Sequence, residues 1–406
     1  MSGNASGAPA PVQPLDWPAH YSDYGRRATA SEIRELLKLL DQPGMISFAG
    51  GIPDPALFPI RAFADAHRRI LEDPVRARLA LQYSVSEGYP PLREWIAAQW
   101  RAQGVGCGPD NVLVTNGSQQ ALDLIARLFL DRGDRMLTAR PTYLGALQAF
   151  TSAAPVYGTL DELDDFGAPR AKLAYVMPDF ANPTGESMSL EARTAVLAGA
   201  TARDVVIIED AAYVALSYDA PPPPSLLALD AQMGGHVDGG RVLHCGTFSK
   251  TLVPGLRIGW VVGPAPVVRK LVLLKQACDL HSSSLAQMAL TEIVGELDTG
   301  HLEMLRATYR ARRDAMLAGL SAHMPAGVRW TKPAGGMFVW VTLPEGLDGA
   351  LLLERALRAE RVAFVPGAAF YPDRGSGNTL RLNFSLSPPD VIDEGLARLG
   401  RLIAAI

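Results

Sequence analysis

The sequence predicts an α/β protein in two parts: a large unit built on a mainly parallel sheet between helices, and a smaller α+β unit towards the C-terminus. Three observations carry this. Short, nearly continuous Val/Ile/Leu runs begin at 112, 135, 172, 204, 241 and 257, with helical stretches interspersed. Strands of that composition are covered on both faces, as in a parallel sheet. "NVLVTNGSQQALDLIARLFL" then sets a strand, a small polar turn, and Ala121, Leu124, Ile125, Leu128 and Phe129 at helical spacing. After about residue 290 the texture changes to a long Arg-rich helix followed by strand-like runs.

In chain order, "SEIRELLKLL" reads as an amphipathic helix with Ser31 as its N-cap. "NVLVT", "RMLTA", "KLAYVMP", "DVVIIED", "RVLHCGT" and "RIGWVVG" are the buried strands. "PPPP" at 221–224 is a surface loop. "LEMLRATYRARRDAMLAGL" is the long helix, and "VRWTKPAGGMFVWVTL" reads as strands around a Gly-Gly turn. A helix ("LLLERALRAE"), a strand ("TLRLNFS") and a last helix ("VIDEGLARLGRLIAAI") complete the smaller unit.

Composition excludes several classes of function. The chain has 406 residues, 48% hydrophobic and 20% charged, with a formal charge of −4. That balance gives no basis for nucleic-acid binding or a basic membrane patch. No apolar stretch reaches the roughly 18 residues that a membrane span needs. The opening "MSGNASGAPAPVQP" reads as a disordered tail and not a signal, which points to the cytoplasm. Cys107, Cys245 and Cys278 are an odd, scattered set, so a disulfide framework is not expected. The His residues lack metal-ligand spacing, so no metal is expected either.

The chemistry concentrates at strand ends. Lys250 is one of six lysines and stands where a buried strand runs into a Thr-Phe-Ser turn. A poorly solvated lysine near other cations has a lowered pKa and becomes a nucleophile toward a carbonyl. An ordinary loop lysine is the bland alternative. "VVIIED" ends in two carboxylates that alternation sends to opposite faces, so Asp210 needs a cation or donors, or else caps a helix. Ser118 and Gln119 open a helix, a spot suited to a phosphate as well as to a plain cap. Arg257, seven residues past Lys250, could grip the same phosphate. Asn182 precedes a Pro-Thr-Gly turn that presents its amide. Arg381 lies inside an apolar strand, as a carboxylate clamp or a structural ion-pair member. Taken together, a carbonyl-reactive amine, an anion, a phosphate cradle and a carboxylate grip describe pyridoxal phosphate chemistry on an amino acid.

The chain resembles a known family at this point. "SFAGGIPDPALFP", "LQYSVSEGYPPLREWIA", "VTNGSQQALDLI", "PTYLGAL", "NPTG", "IIEDAAY", "GTFSKTLVPGLRIGW" and "LRLNFS" occur in the order of fold-type I, class I/II aminotransferases. The match runs from about residue 28 to the C-terminus, and the opening stretch is similar to the branch holding 2-aminoadipate, kynurenine and aromatic or branched-chain aminotransferases.

The resemblance implies a mainly parallel seven-stranded sheet and four segments: a tail (1–27), an arm (28–60) packing with the small domain and active site, a large cofactor-binding domain (61–290) and a small domain (291–406). It implies that Lys250 binds pyridoxal 5'-phosphate covalently and moves protons, and that Asp210 holds the pyridine nitrogen. Asn182 and Tyr213 would bond the ring oxygen, Tyr143 would stack on the ring, and Ser118, Gln119, Ser249 and Arg257 would hold the phosphate. Tyr83 would reach the phosphate from the partner subunit of a homodimer. Arg381 and Asn182 would bind the substrate α-carboxylate, Gly51 would lie against the substrate, and Arg34 would read its side chain. Ala181 stands where this branch often carries Gln, so the amino-acid preference stays open.

The expected activity is amino-group transfer from an L-amino acid to a 2-oxo acid, 2-oxoglutarate being the expected acceptor, by a ping-pong mechanism. A lyase or synthase on the same fold would share Lys250, Asp210 and Arg381. An aminotransferase-like transcriptional sensor is a third reading. The 27 or so residues ahead of the match are too few for a winged helix and are not basic.

Overall fold

The computed structural model describes residues 15–29, 44–296 and 299–406. The expected tail before residue 15, the Ser31-capped helix and Arg34 lie outside the described residues.

Seven strands form the central sheet: β2 (Val112–Thr115), β3 (Arg135–Thr138), β4 (Val156–Thr159), β5 (Leu173–Val176), β6 (Val206–Asp210), β7 (Val242–Thr247) and β8 (Gly259–Val262); β1 (Ile46–Ser47) precedes them in the chain. Their order is β2-β8-β7-β6-β5-β3-β4. Only β8 runs antiparallel to its neighbours; the other pairs are parallel, as the sequence predicted. Alternate residues feed two cores. Leu113, Tyr175, Ile208 and Leu243 enter one cluster, and Val112, Ala174, Ile207 and Val242 the other. The six strands read from the sequence are all present. The seventh, β4, was not read. It is a half-exposed edge strand interrupted by Gly158, so it lacks the apolar run that marks a covered strand.

The C-terminal part holds β9 (Arg329–Trp330), β10 (Phe338–Thr342), β11 (Val362–Ala363), β12 (Val365–Pro366) and β13 (Thr379–Asn383). Four of these make an antiparallel sheet in the order β12-β13-β10-β9. Helices Thr299–His323 and Pro389–Ala404 pack on each other beside it. Phe338, Leu380 and Leu382 are fully buried, each side chain contributing about 1.5–3 kcal/mol. β1 pairs in parallel with β11. Phe48 then donates its N–H to Ala363 and accepts from the Asn383 N–H, so residues 46–48 are sewn to the C-terminal part.

Several segments gather at one edge of the central sheet: the turn after β2, the loop after β5, the end of β6, the turn after β7 and the start of β8. Ligands of open α/β sheets bind at such an edge.

Candidate active site

A cavity of about 1110 Å³ opens at that edge. Every site residue expected from the sequence lines it except Tyr83 and Arg34: Gly51, Ser118, Gln119, Tyr143, Asn182, Asp210, Tyr213, Ser249, Lys250, Arg257 and Arg381. Tyr83 lies away from it, 80% exposed, and meets the His281 ring edge-on at 6.1 Å. Arg34, as noted, is not among the described residues.

Lys250 follows β7 by three residues and is partly buried. Its Nζ donates to the Gly51 carbonyl at 2.9 Å and lies 5.7 Å from the Tyr213 ring centroid. Burial, then the charges of Arg381 and Arg257, bring its pKa down to about 8, against the opposing pull of Asp210. About a tenth of the amine is therefore uncharged at pH 7, and about half at pH 8.

Asp210 and Glu209 diverge as alternation requires. Glu209 accepts the N–H groups of Leu226 and Leu227 at 2.7 and 3.0 Å and pairs with His244 at 3.1 Å. The capping reading of the acidic pair thus belongs to Glu209, which caps the helix Leu226–Gly234. Asp210 faces the cavity. Its Oδ2 accepts the Tyr175 hydroxyl at 2.8 Å, whereas its Oδ1 is buried without a partner among the described residues. Burial pushes its carboxyl up, and the Tyr175 hydroxyl, the Ala212 N–H and the charges of His244 and Lys250 pull it back.

Arg381 sits on β13, buried between two rings: its Cζ is 4.3 Å from the Phe338 centroid and 5.0 Å from that of Phe370. It donates from Nη1 to Asn182 Oδ1 at 2.8 Å and from Nη2 to the Ala49 carbonyl at 2.7 Å. Among the described residues no carboxylate pairs with it, and the partners there are an amide and a carbonyl, not the ion pair of the alternative reading. Burial holds its pKa down to about 10, which still leaves it charged at neutral pH.

At the far end the helix Ser118–Phe129 begins after Gly117, whose φ of 75° and ψ of 167° suit only glycine and provide no side-chain cap. A Cβ there would lie 2.5 Å from Arg257 Nη2. The bare helix start and the guanidinium thus share one corner, a cradle for a phosphate. Gln119 gives its amide to the Gly145 carbonyl at 2.6 Å and so braces the turn carrying Tyr143. Thr247 Oγ1 donates toward Ser249 Oγ at 2.9 Å.

An unpartnered buried carboxylate oxygen, an amine of lowered pKa and a glycine-lined cationic corner fit pyridoxal phosphate, with its ring nitrogen, aldehyde and phosphate. Sequence reasoning missed Tyr175, Phe338 and Phe370. The first was legible only once β5 and β6 were known to be neighbours.

Comparison with known proteins agrees with this geometry. The family model described as "Aminotransferase class I and II" matches residues 45–399, and the chain belongs to that family of pyridoxal phosphate-dependent aminotransferases. Among its relatives, a 2-aminoadipate transaminase of Thermus thermophilus is 42% identical over 97% of this chain and 99% of its own. An aromatic-amino-acid aminotransferase of Thermococcus litoralis is 40% identical over 96% of this chain and 95% of its own. A crystal structure of an α-aminoadipate aminotransferase from Thermus thermophilus, complexed with N-(5'-phosphopyridoxyl)-L-leucine, superposes with a TM-score of 0.88. It is 42% identical and covers 96% of this chain and 99% of that one.

Proposed function

We propose that this aminotransferase moves the amino group of an L-amino acid of the 2-aminoadipate, aromatic or branched-chain type to 2-oxoglutarate by a ping-pong mechanism. The observation that carries the reading is one cavity holding the readily deprotonated Lys250 amine together with the ring-sandwiched, cationic Arg381. The names of its relatives, and the leucine adduct in one of them, support the substrate range.

Bound in this cavity, pyridoxal phosphate supplies an electron sink for the pair left at the substrate Cα when its proton departs. The chain's own residues would do the rest. Arg381 and Asn182 would hold the α-carboxylate, fixing which Cα bond faces Lys250. The Lys250 Nζ would take the Cα proton and return it elsewhere. Asp210 would bind the ring nitrogen through Oδ1. Tyr213 and Asn182 would bond the ring oxygen, and Tyr143 would cover one ring face. Ser118, Gln119, Ser249 and Arg257 would hold the phosphate.

We also propose a cytoplasmic homodimer, with Tyr83 reaching the partner's phosphate site. Among the described residues no helix is long and apolar enough to cross a membrane, and the three cysteines are free thiols. Tyr83 is flanked by exposed Leu79, Leu81 and Val85, a patch suited to burial against a second copy. A fully active monomer in sedimentation would refute the dimer. The segments 61–290 and 291–406 stand as the proposed domains, because each contains one of the two larger sheets.

A donor panel with 2-oxoglutarate tests the activity. Glutamate should accumulate with 2-aminoadipate, aromatic or branched-chain donors. Release of ammonia and a 2-oxo acid without an acceptor would mean a lyase instead.

A further inference from the structure

β5 and β6 run side by side, with Tyr175 opposite Ile208. Asp210, two residues beyond Ile208, leaves the same face of the sheet and lies diagonal to Tyr175, a reach that aromatic side chains span. There the Tyr175 hydroxyl donates to Asp210 Oδ2 at 2.8 Å. Tyr175 is completely buried, and Phe150 meets its ring edge-on at 5.5 Å between centroids. The other oxygen, Oδ1, is buried without a partner among the described residues, on a residue that lines the cavity. Buried polar atoms are normally paired, so this arrangement reserves Oδ1 for a donor arriving from the cavity.

We propose that Tyr175 is a positioning residue of the reaction centre: its hydroxyl fixes the Asp210 carboxylate so that Oδ1 is the atom presented to the pyridine nitrogen. The inference rests on the reading that Asp210 meets that nitrogen. A carboxylate rotates broadly about its last torsion, so one anchored oxygen decides where the other points. A neutral donor suits the task. A cation at Oδ2 would neutralise the carboxylate and weaken its hold on the ring proton, whereas a phenol orients it and leaves the charge in place. Burial, with the nearby Asp210 charge, raises the Tyr175 pKa well above its usual value, so this hydroxyl keeps its proton.

Tyr175→Phe removes one oxygen and keeps the ring. The dissociation constant of pyridoxal phosphate, titrated into the apoenzyme, should rise about tenfold or more. In the reconstituted enzyme kcat should fall about tenfold, with KM for the amino donor within about twofold. In an Asp210→Asn background the same substitution should add little further loss, because its route of action is gone. Melting of each apoenzyme reports folding separately. Native cofactor affinity in Tyr175→Phe, or a loss that adds in full to that of Asp210→Asn, would overturn the proposal. Native affinity in Asp210→Asn alone would remove the reading of Asp210 itself.

Discussion

Arg381 and Asn182, 199 positions apart, meet through a 2.8 Å hydrogen bond that joins the C-terminal sheet to the loop after β5. The amide oxygen occupies Nη1 and the Ala49 carbonyl occupies Nη2, so the guanidinium is oriented before any substrate enters. Preorganised donors avoid an ordering cost on binding. Arg381→Lys keeps the charge but loses the planar fork and its fit between Phe338 and Phe370. KM for the amino donor should rise about 30-fold or more, equivalent to roughly 2 kcal/mol. Steady-state kinetics check this, and a KM within twofold of wild type would remove the clamp from the mechanism.

Lys250→Ala removes both the proposed attachment point and the proposed proton carrier. Turnover should fall by at least about 10²–10⁴-fold. Borohydride treatment of the loaded wild-type protein should attach the cofactor to position 250, detected by peptide mass, and leave the variant unlabelled.

The depressed Lys250 pKa has a pH signature with a definite sign. The folded amine titrates near 8 and the unfolded one near 10.5. Between those values the unfolded chain binds more protons, so apoenzyme stability should rise with pH through that window and gain nothing beyond it. Lys250→Met should flatten this rise in denaturant titrations. Capture of pyridoxal phosphate should also quicken as pH climbs through about 8, since only the free amine attacks.

Gly117→Ala forces a side chain into a backbone region reserved for glycine and against Arg257. The strain should cost about 1–3 kcal/mol of stability. Affinity for pyridoxal phosphate should drop while affinity for pyridoxal, which has no phosphate, changes little. Parallel titrations with the two compounds separate these effects.

Glu209→Gln tests the other member of the acidic pair. Burial raises its carboxyl, but the His244 bond and charge and the N–H groups of Leu227 and Leu226 outweigh it and hold the pKa below its usual range. That stabilisation is present at neutral pH and lost as pH falls through the depressed value. The variant should lose about 1–3 kcal/mol at pH 7, with kcat nearly unchanged. A large change in kcat with unaltered stability would put Glu209 in the chemistry.

Much of the fold was legible because the strands of a covered sheet announce themselves by composition. The candidate chemistry was legible because its residues lie at or shortly after the ends of those strands. Asp210 ends β6, Lys250 follows β7 by three residues and Asn182 follows β5 by six, so local pattern and proposed function coincide. β4 escaped because an edge strand need not be apolar on both faces. Tyr175 escaped for a different reason. Its own strand shows only that it alternates with Ala174 and Val176, and nothing local says that a strand more than 30 residues later lies beside it. The aromatic walls around Arg381 were hidden likewise, since Phe338 and Phe370 join it only through strand pairing and a loop return.

The short run from Ala49 to Gly51 touches Arg381 with one carbonyl and Lys250 with another. Two peptide units therefore act as a ruler between the group proposed to hold the substrate's acid and the group proposed to work on its neighbouring carbon. One inserted residue would lengthen that ruler by up to about 3.5 Å, enough to part the two contacts. Enzymes redesigned for amino acids with a longer gap between amine and acid would have to be recut here first.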